Sequence, residues 1–255
     1  KWFLPYKYSE KGRLSLIFSI FLFCSFCVIL AFVDETSVFS YAYTIVLFLV
    51  LNSLLFANNI RNLYYFHYYL SVSIILYAIH SNIIPLSFGT TGPYPGLGMD
   101  DYNFYNTLIS NNAARYNYTA FLRFIYPFEI HTVLNIVILN LLGITFLPNY
   151  VMKLSESIGL SDKTAVLAEK LTIACPFITY YGCILLRDMW IATLVVAGLY
   201  YYLQRDFKLL ICLLLIFYIR FGSLVFLVVG ILILMRQNLY ALFHSRTTGR
   251  IVVLM

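Results

Sequence analysis

The sequence predicts an all-α, polytopic integral membrane protein with about seven to eight transmembrane helices. The chain is 62% hydrophobic and 11% charged, with a mean hydropathy of +0.83, which lies outside the range of soluble domains. Several segments approach the roughly 20 apolar residues that cross a hydrocarbon core of about 30 Å. Lys and Arg are also distributed unevenly between the connections, as in membrane proteins with a fixed orientation.

Seven apolar segments are candidates for membrane helices. The first is too long for the apolar part of a signal peptide. The fifth contains Pro176 and closes with Arg187-Asp188, which favours a kinked or partial crossing. The last fits either one tilted helix or a hairpin that turns at Arg220-Phe221-Gly222. The segments lie near residues 14–33, 41–57, 63–86, 131–150, 171–187, 189–203 and 209–235.

The distribution of positive charge predicts the orientation. With the N-terminus in the cytoplasm, 13 of the 17 Lys and Arg residues lie on the cytoplasmic side, as the positive-inside rule requires. The same bias explains the net charge of +6 without nucleic acid as a partner. The remaining four, which lie outside or within the membrane, are Arg115, Arg123, Arg187 and Arg220.

We predict a single transmembrane domain over residues 1–255, with two longer polar connections. One is an outer loop at about 87–129, which begins with a Gly- and Pro-rich stretch. The other contains a cytoplasmic helix at about 155–170, capped by Ser161. The apolar end of the sequence suggests a chain truncated at its C-terminus.

The outer loop carries an interfacial helix in this prediction. The helix begins at Asp100, which can act as its N-cap, and continues through Asp101 to Ile109. Tyr102, Tyr105 and Ile109 would then share one face at helical spacing, which suits a helix lying at the water–lipid boundary.

Asp100 and Asp101 are the first candidates for chemistry. Only 11 Asp and Glu residues occur in the chain, and this adjacent pair lies among aromatic residues beyond a membrane segment. Such a pair can act as a general base, bind sugar hydroxyls or hold a divalent cation such as Mg²⁺ or Mn²⁺. The alternative is a helix N-cap followed by an acid that the helix dipole favours in the first turn.

Arg187, Asp188 and Arg220 are the next candidates, because ionisable residues inside apolar segments are costly and usually functional. Arg220 is suited to an anion such as a lipid phosphate, which guanidinium groups bind as a fork. The alternative for Arg187 and Asp188 is a local ion pair at a helix turn, anchored by Trp190. The alternative for Arg220 is a structural ion pair with Asp188 or Glu129.

The outer loop offers weaker candidates. Arg115 and Arg123 lie among tyrosines, an arrangement that suits either a lipid phosphate or simple anchoring at the interface. Glu129 and His131 open the fourth segment, where a general base and an ordinary helix start are both compatible with the sequence. The five cysteines lie in apolar segments and predict neither a disulfide framework nor a zinc site. No other cofactor is indicated.

The order of these features resembles bacterial polytopic glycosyltransferases. The matching stretches are Gly98-Met-Asp-Asp-Tyr-Asn-Phe-Tyr105, then Pro176 through Arg187-Asp188, and finally Tyr218-Ile-Arg220 after a short basic turn. Together they are similar to C-type (GT-C) enzymes and to O-antigen or exopolysaccharide repeat-unit polymerases. The resemblance covers about residues 85–235.

This resemblance implies transfer of sugar from a polyprenyl-phosphate-linked donor at the outer face of a bacterial inner membrane. A first-loop Asp would be the base or metal ligand, and membrane-embedded Arg residues would bind the lipid phosphate. These roles carry over to Asp100, Asp101, Arg187 and Arg220. The implied partners are the lipid-linked sugar, membrane lipids and other membrane proteins. A non-catalytic membrane subunit, or a transporter of lipid or polysaccharide, remains the competing interpretation, with the charges paired for structure.

Overall fold

The computed structural model describes the backbone of residues 10–57, 59–80, 99–110, 117–185 and 187–236. It describes the side chains of the same ranges apart from residues 10–17, 80 and 99–102. Every regular element within these ranges is helical, so the all-α prediction is confirmed. The helices are α1 (Glu10–Val33), α2 (Thr36–Phe56), α3 (Ile60–His80), α4 (Met99–Ile109), α5 (Asn117–Ile125), α6 (Val133–Asn140), α7 (Leu142–Thr145), α8 (Leu147–Ser157), α9 (Asp162–Ala174), α10 (Pro176–Gly182), α11 (Asp188–Gln204), α12 (Lys208–Arg220) and α13 (224–236).

Three helical stretches among the described residues are long and apolar enough to cross a membrane: Thr36–Phe56, Val133–Ser157 and Lys208–Arg236. The expected seven to eight spans are not confirmed. The clearest departure is the predicted segment 171–187, which is divided between the end of α9 and α10. Pro176 cannot donate a backbone hydrogen bond, and Cys175 before it is extended, so the helix stops and restarts there.

The stretch Val133–Ser157, which combines α6, α7 and α8, forms the centre of the bundle, and its residues 133–150 are all buried by other helices. It is nearly continuous, with turns at Leu141 and Phe146. Pro148 removes one backbone donor just after the second turn. The surrounding helices expose large apolar side chains instead, including Phe32 at 87% and Leu54 at 69%. An enclosed centre with an apolar exterior is typical of a helix bundle surrounded by lipid.

Contacts between side chains divide the bundle into two ends. Thr132, just before α6, donates a hydrogen bond to Asp34, between α1 and α2. We call this the α4 end, because Tyr105 of α4 also donates to the carbonyl of His131 there.

At the other end, which we call the α9 end, Glu169 of α9 accepts hydrogen bonds from Arg61 and Tyr65 at the start of α3. Gln204, the last residue of α11, donates to Ser157, the last residue of α8. Connections thus alternate between two ends as the sequence predicts. The assignment of the α9 end to the cytoplasm stays a prediction.

The predicted helix termini agree in part. The Ser161 hydroxyl accepts a hydrogen bond from the Thr164 amide at the start of α9, which confirms the predicted cap. The helix α4 is present, but it begins at Met99, so Asp100 lies inside its first turn. Tyr105 and Ile109 are neighbours on this helix, as predicted from their spacing, but Ile109 is exposed, whereas the buried face of α4 contains Phe104, Tyr105, Thr107 and Leu108. This face packs on α5 instead of lying free at the interface.

The stretch Lys208–Arg236 folds back on itself. A Cβ atom added to Gly198 of α11 would lie 2.9 Å from the Leu227 methyl groups and 3.6 Å from the Cys212 Cβ. In one straight helix, residues 212 and 227 would be about 22 Å apart and could not contact the same glycine. Arg220 is extended and is followed by a short 3-10 turn, Phe221–Ser223. Of the two predicted alternatives, the hairpin is therefore the one that forms.

Cysteine crosslinking tests this hairpin. In a chain lacking its other cysteines, we expect Gly198→Cys to form a disulfide with Cys212, and Leu199→Cys to form one with Gly230→Cys, under mild oxidation. Residues 212 and 230 would be about 27 Å apart in a straight helix, so only a hairpin allows both crosslinks. Leu199→Cys with Gly222→Cys, at the turn, is the control that should not react. Crosslinking of only one of the first two pairs would contradict the hairpin.

Candidate functional site

Asp188 and Arg220 form an ion pair where two antiparallel helices meet. The Arg220 Nη1 donates to the Asp188 Oδ1 over 3.2 Å, and both side chains are about half exposed. Asp188 is the first residue of α11 and Arg220 the last of α12. Each charge thus lies at the helix end where the helix dipole stabilises it. This is one of the pairings that the sequence left open for Arg220, and Glu129 is not its partner.

Arg187 connects this pair to α4. Its guanidinium carbon lies 5.5 Å from the centre of the Phe104 ring, which is within cation–π range. Phe104 in turn packs edge-on against Tyr118 of α5 at 5.1 Å. The helix that carries the two adjacent aspartates is therefore fixed over the start of α11. We call Arg187, Asp188 and Arg220 the arginine corner.

The arginine corner lies below the α4 end of the central helix. Hydrogen bonds join α11 to the central helix. The Thr193 hydroxyl donates to the carbonyl of Gly143, and the Tyr201 and Tyr150 hydroxyls are hydrogen-bonded at 2.7 Å. The two helices therefore run parallel with an offset of about 50 residues. By this register Asp188 is level with residue 138, roughly 8 Å beyond the start of α6. The corner is thus recessed from the bundle end.

The segment that precedes the corner is not helical although it is buried. Residues 183–185 lie between α10 and α11, and Leu185 is completely enclosed. Ser73 donates to the Cys183 carbonyl at 3.1 Å, and Asn140 donates to the Ile184 carbonyl at 2.8 Å. Non-helical backbone at this depth is tolerated only where protein groups satisfy it, as they do here.

Asn140 is the side chain on which this region converges. It is fully buried, and its Oδ1 accepts hydrogen bonds from the Tyr118 hydroxyl at 2.6 Å and from the Trp190 Nε1 at 2.8 Å. With the Ile184 carbonyl, it joins α5, α6, α11 and the non-helical segment. Asn140 is not among the residues that the sequence predicts to be functional. Its signal was an amide inside an otherwise apolar segment, where a polar side chain needs partners.

Asp100 and Asp101 lie in the first turn of α4, three or four positions before Phe104. Residues at this spacing neighbour each other on a helix, so the two aspartates lie about one turn along α4 from the Phe104–Arg187 contact. Their side chains and that of Tyr102 are outside the described residues, and so is Arg115. Among the described side chains no group of three His, Cys, Asp or Glu residues could hold a metal ion. A cation between Asp100 and Asp101 stays a prediction.

The remaining candidates surround the start of α6. The Arg123 Nη1 donates a hydrogen bond to the Phe128 carbonyl at 2.5 Å. This guanidinium therefore contacts the connection between α5 and α6. Glu129 and His131 are exposed, and the His131 amide donates to the Asn135 side chain. The arrangement agrees with the helix-start alternative for these two residues.

A further acid, Asp34, has a structural role in holding helices together. Asp34 accepts hydrogen bonds from the Thr36, Ser37 and Thr132 hydroxyls. Asn135, fully buried on α6, donates to the Thr36 and Ser37 hydroxyls beside it. This network joins the α1–α2 connection to the central helix and explains an acid that sequence reasoning left unassigned.

Comparison with known proteins adds no further constraint, since the chain matches no family model, no curated protein and no solved structure. The geometry alone therefore defines the class: an all-helical protein with stretches apolar enough to span a membrane. Its arginine corner is recessed at one end of the bundle.

Replacing Asn140 tests its role as the common support. Asn140→Ala would leave the Tyr118 hydroxyl, the Trp190 indole N–H and the Ile184 carbonyl without this partner inside the bundle. We expect a loss of about 2–4 kcal/mol of stability, given about 0.6–1.7 kcal/mol for one such bond in a membrane and more where groups stay unpaired. Thermal unfolding of the purified protein in detergent measures this loss.

Asn103→Ala is the matched control, because Asn103 is exposed on α4. It should leave the unfolding midpoint unchanged. Equal midpoints for the Asn140→Ala variant and the wild type would show that Asn140 does not support the bundle.

Proposed function

We propose that this chain is a membrane glycosyltransferase or polysaccharide polymerase. It would transfer sugar from a polyprenyl-phosphate-linked donor at the α4 end, which is the outer face in the orientation predicted from charge. The observation that carries the proposal is the position of α4, with its two aspartates, over a recessed corner that contains two arginines. The resemblance to bacterial polytopic enzymes supports the same function and an inner-membrane location.

The arginine corner is suited to an anion. It holds two guanidinium groups and one carboxylate, so one positive charge is left uncompensated within the corner. Arg220 contacts Asp188 through a single Nη1–Oδ1 hydrogen bond, although a guanidinium has five donors. A phosphate that arrives from the membrane could therefore bind Arg187 and Arg220 without breaking the ion pair.

In this mechanism the aspartates act on the acceptor and the arginines act on the lipid-linked donor. Asp100 or Asp101 deprotonates the acceptor hydroxyl, which attacks the sugar carbon that carries the lipid phosphate. The bond between that carbon and the phosphate oxygen breaks, and the arginines stabilise the negative charge on the departing lipid phosphate. A divalent cation held by the two aspartates is compatible with the same arrangement.

The second candidate is a non-catalytic membrane subunit or transporter. The specific observation in its favour is the Asp188–Arg220 ion pair itself, since a structural pair is what that interpretation predicts for these residues. The two candidates differ in what the pair contributes. An exposed pair adds about 0–1 kcal/mol to stability, whereas a phosphate-binding arginine affects product formation far more than folding.

Substitution of the two aspartates tests the proposed base. We expect Asp100→Asn or Asp101→Asn, made separately, to reduce the glycan product at least about hundredfold, because general-base catalysis contributes that much. The product is measured in a deletion strain that expresses each variant at a matched level. Asp162→Asn, in the first turn of α9 at the opposite end, is the control. Full activity of both variants would remove the acid-pair mechanism.

Substitution of the ion pair separates the two candidates. For a transferase we expect Arg220→Gln to lower product at least about tenfold with an unfolding midpoint within about 2 °C of wild type. Asp188→Asn should have a smaller effect on product, because it leaves both guanidinium groups in place. If both substitutions instead reduce folded protein equally and leave the product per folded molecule unchanged, the pair is structural, as the second candidate predicts.

A further inference from the structure

Two lysines lie against aromatic rings at the α9 end, far along the bundle from the arginine corner. The Lys153 Nζ of α8 is 4.4 Å from the centre of the Phe56 ring and 5.7 Å from that of Tyr200. The Lys208 Nζ, at the start of α12, is 5.5 Å from the centre of the Tyr201 ring. We call these five residues the lysine–aromatic cluster. It joins α2 and α8 to α11 and α12.

The aromatic part of the cluster is rigid. The Tyr150 and Tyr201 hydroxyls are hydrogen-bonded at 2.7 Å, and both side chains are buried. Tyr150 also packs against Phe56 at 4.8 Å, and Tyr200 packs against Tyr201 at 5.3 Å. The rings therefore hold the two ammonium groups on one prepared surface, so little side-chain entropy is lost when an anion binds there.

The positive charge of the cluster is only partly compensated. The Lys208 Nζ shares a long 3.7 Å contact with Asp206. Among the described residues, Lys153 has no carboxylate within ion-pair distance, although Glu156 lies one turn further along α8. An anion between the two ammonium groups would add to the partial compensation that Asp206 gives to Lys208.

The surroundings of the cluster favour a lipid as the source of that anion. Leu54, two residues before the end of α2, is 69% exposed, and Phe207 and Leu210 at the start of α12 are 76% and 60% exposed. These side chains continue along the outer surfaces of the bundle, where acyl chains pack. A basic site between helices, with apolar surface on both sides, matches the chemistry of an anionic phospholipid.

We propose that the lysine–aromatic cluster binds the headgroup phosphate of an anionic phospholipid in the leaflet at the α9 end. The phosphate would lie between the Lys153 and Lys208 ammonium groups, and its acyl chains would follow α2 and α12. In the predicted orientation this is the cytoplasmic leaflet, where anionic lipids attract basic residues. The site is separate from the arginine corner and does not depend on the proposed function.

Native mass spectrometry of the purified full chain tests the site, with phosphatidylglycerol and phosphatidylcholine as probes. We expect phosphatidylglycerol to bind the wild type more tightly, and Lys153→Gln with Lys208→Gln to weaken it about thirtyfold. Each basic side chain near the membrane surface contributes about a factor of five. Lys163→Gln with Lys170→Gln removes the same charge from exposed positions of α9 and should change binding less than about twofold.

Two further measurements distinguish loss of the site from loss of folding, and a lipid from a free phosphate. Lys153→Arg with Lys208→Arg keeps the charge and should retain binding, which separates loss of the site from loss of folding. Glycerol 1-phosphate in millimolar excess should not displace the lipid, because it lacks acyl chains. Equal weakening in the cluster variant and the α9 variant would show nonspecific charge attraction and overturn the proposal. So would equal binding of the two lipids, or displacement by glycerol 1-phosphate.

Discussion

The hydrogen bonds of the Asn140 side chain are the interaction on which the rest of the structure depends. Inside a membrane, apolar helices gain little from contact with each other compared with contact with lipid, so polar groups decide which helices pair. Asn140 is fully enclosed and joins α5, α11 and the segment before α11 to the central helix. Asn135 and Asn149 do the same for other neighbours.

The three amides of the central helix form hydrogen bonds with different neighbouring helices. Asn135 contacts the α1–α2 connection, and Asn149 donates to Asn62 of α3, which donates in turn to Asn52 of α2. The central helix thus carries polar contacts at three levels, at residues 135, 140 and 149. Because each amide has different partners, an exchange of helices, or a slide of one helix by a turn, would break these buried hydrogen bonds.

The arginine corner is a consequence of this arrangement. Asn140 fixes Trp190, and with it the first turn of α11, where Asp188 meets Arg220. The same amide satisfies the broken backbone before α11, so the chain can stop and restart a helix at this depth. Tyr118, which donates a hydrogen bond to Asn140, packs edge-on against Phe104 and so positions α4. The arginine corner is therefore supported by one buried group of hydrogen bonds around Asn140.

The sequence by itself determined the helical class, the break at Pro176, the Ser161 cap and the alternation of the connections. These follow from composition, backbone chemistry and local capping, which act over a few residues. Only the tertiary structure decided that Lys208–Arg236 folds into a hairpin, that Arg220 pairs with Asp188 and that Arg187 packs on Phe104. It also revealed Asn140, because the value of a buried amide depends on partners 22 to 50 residues away. Periodicity and charge cannot name such partners.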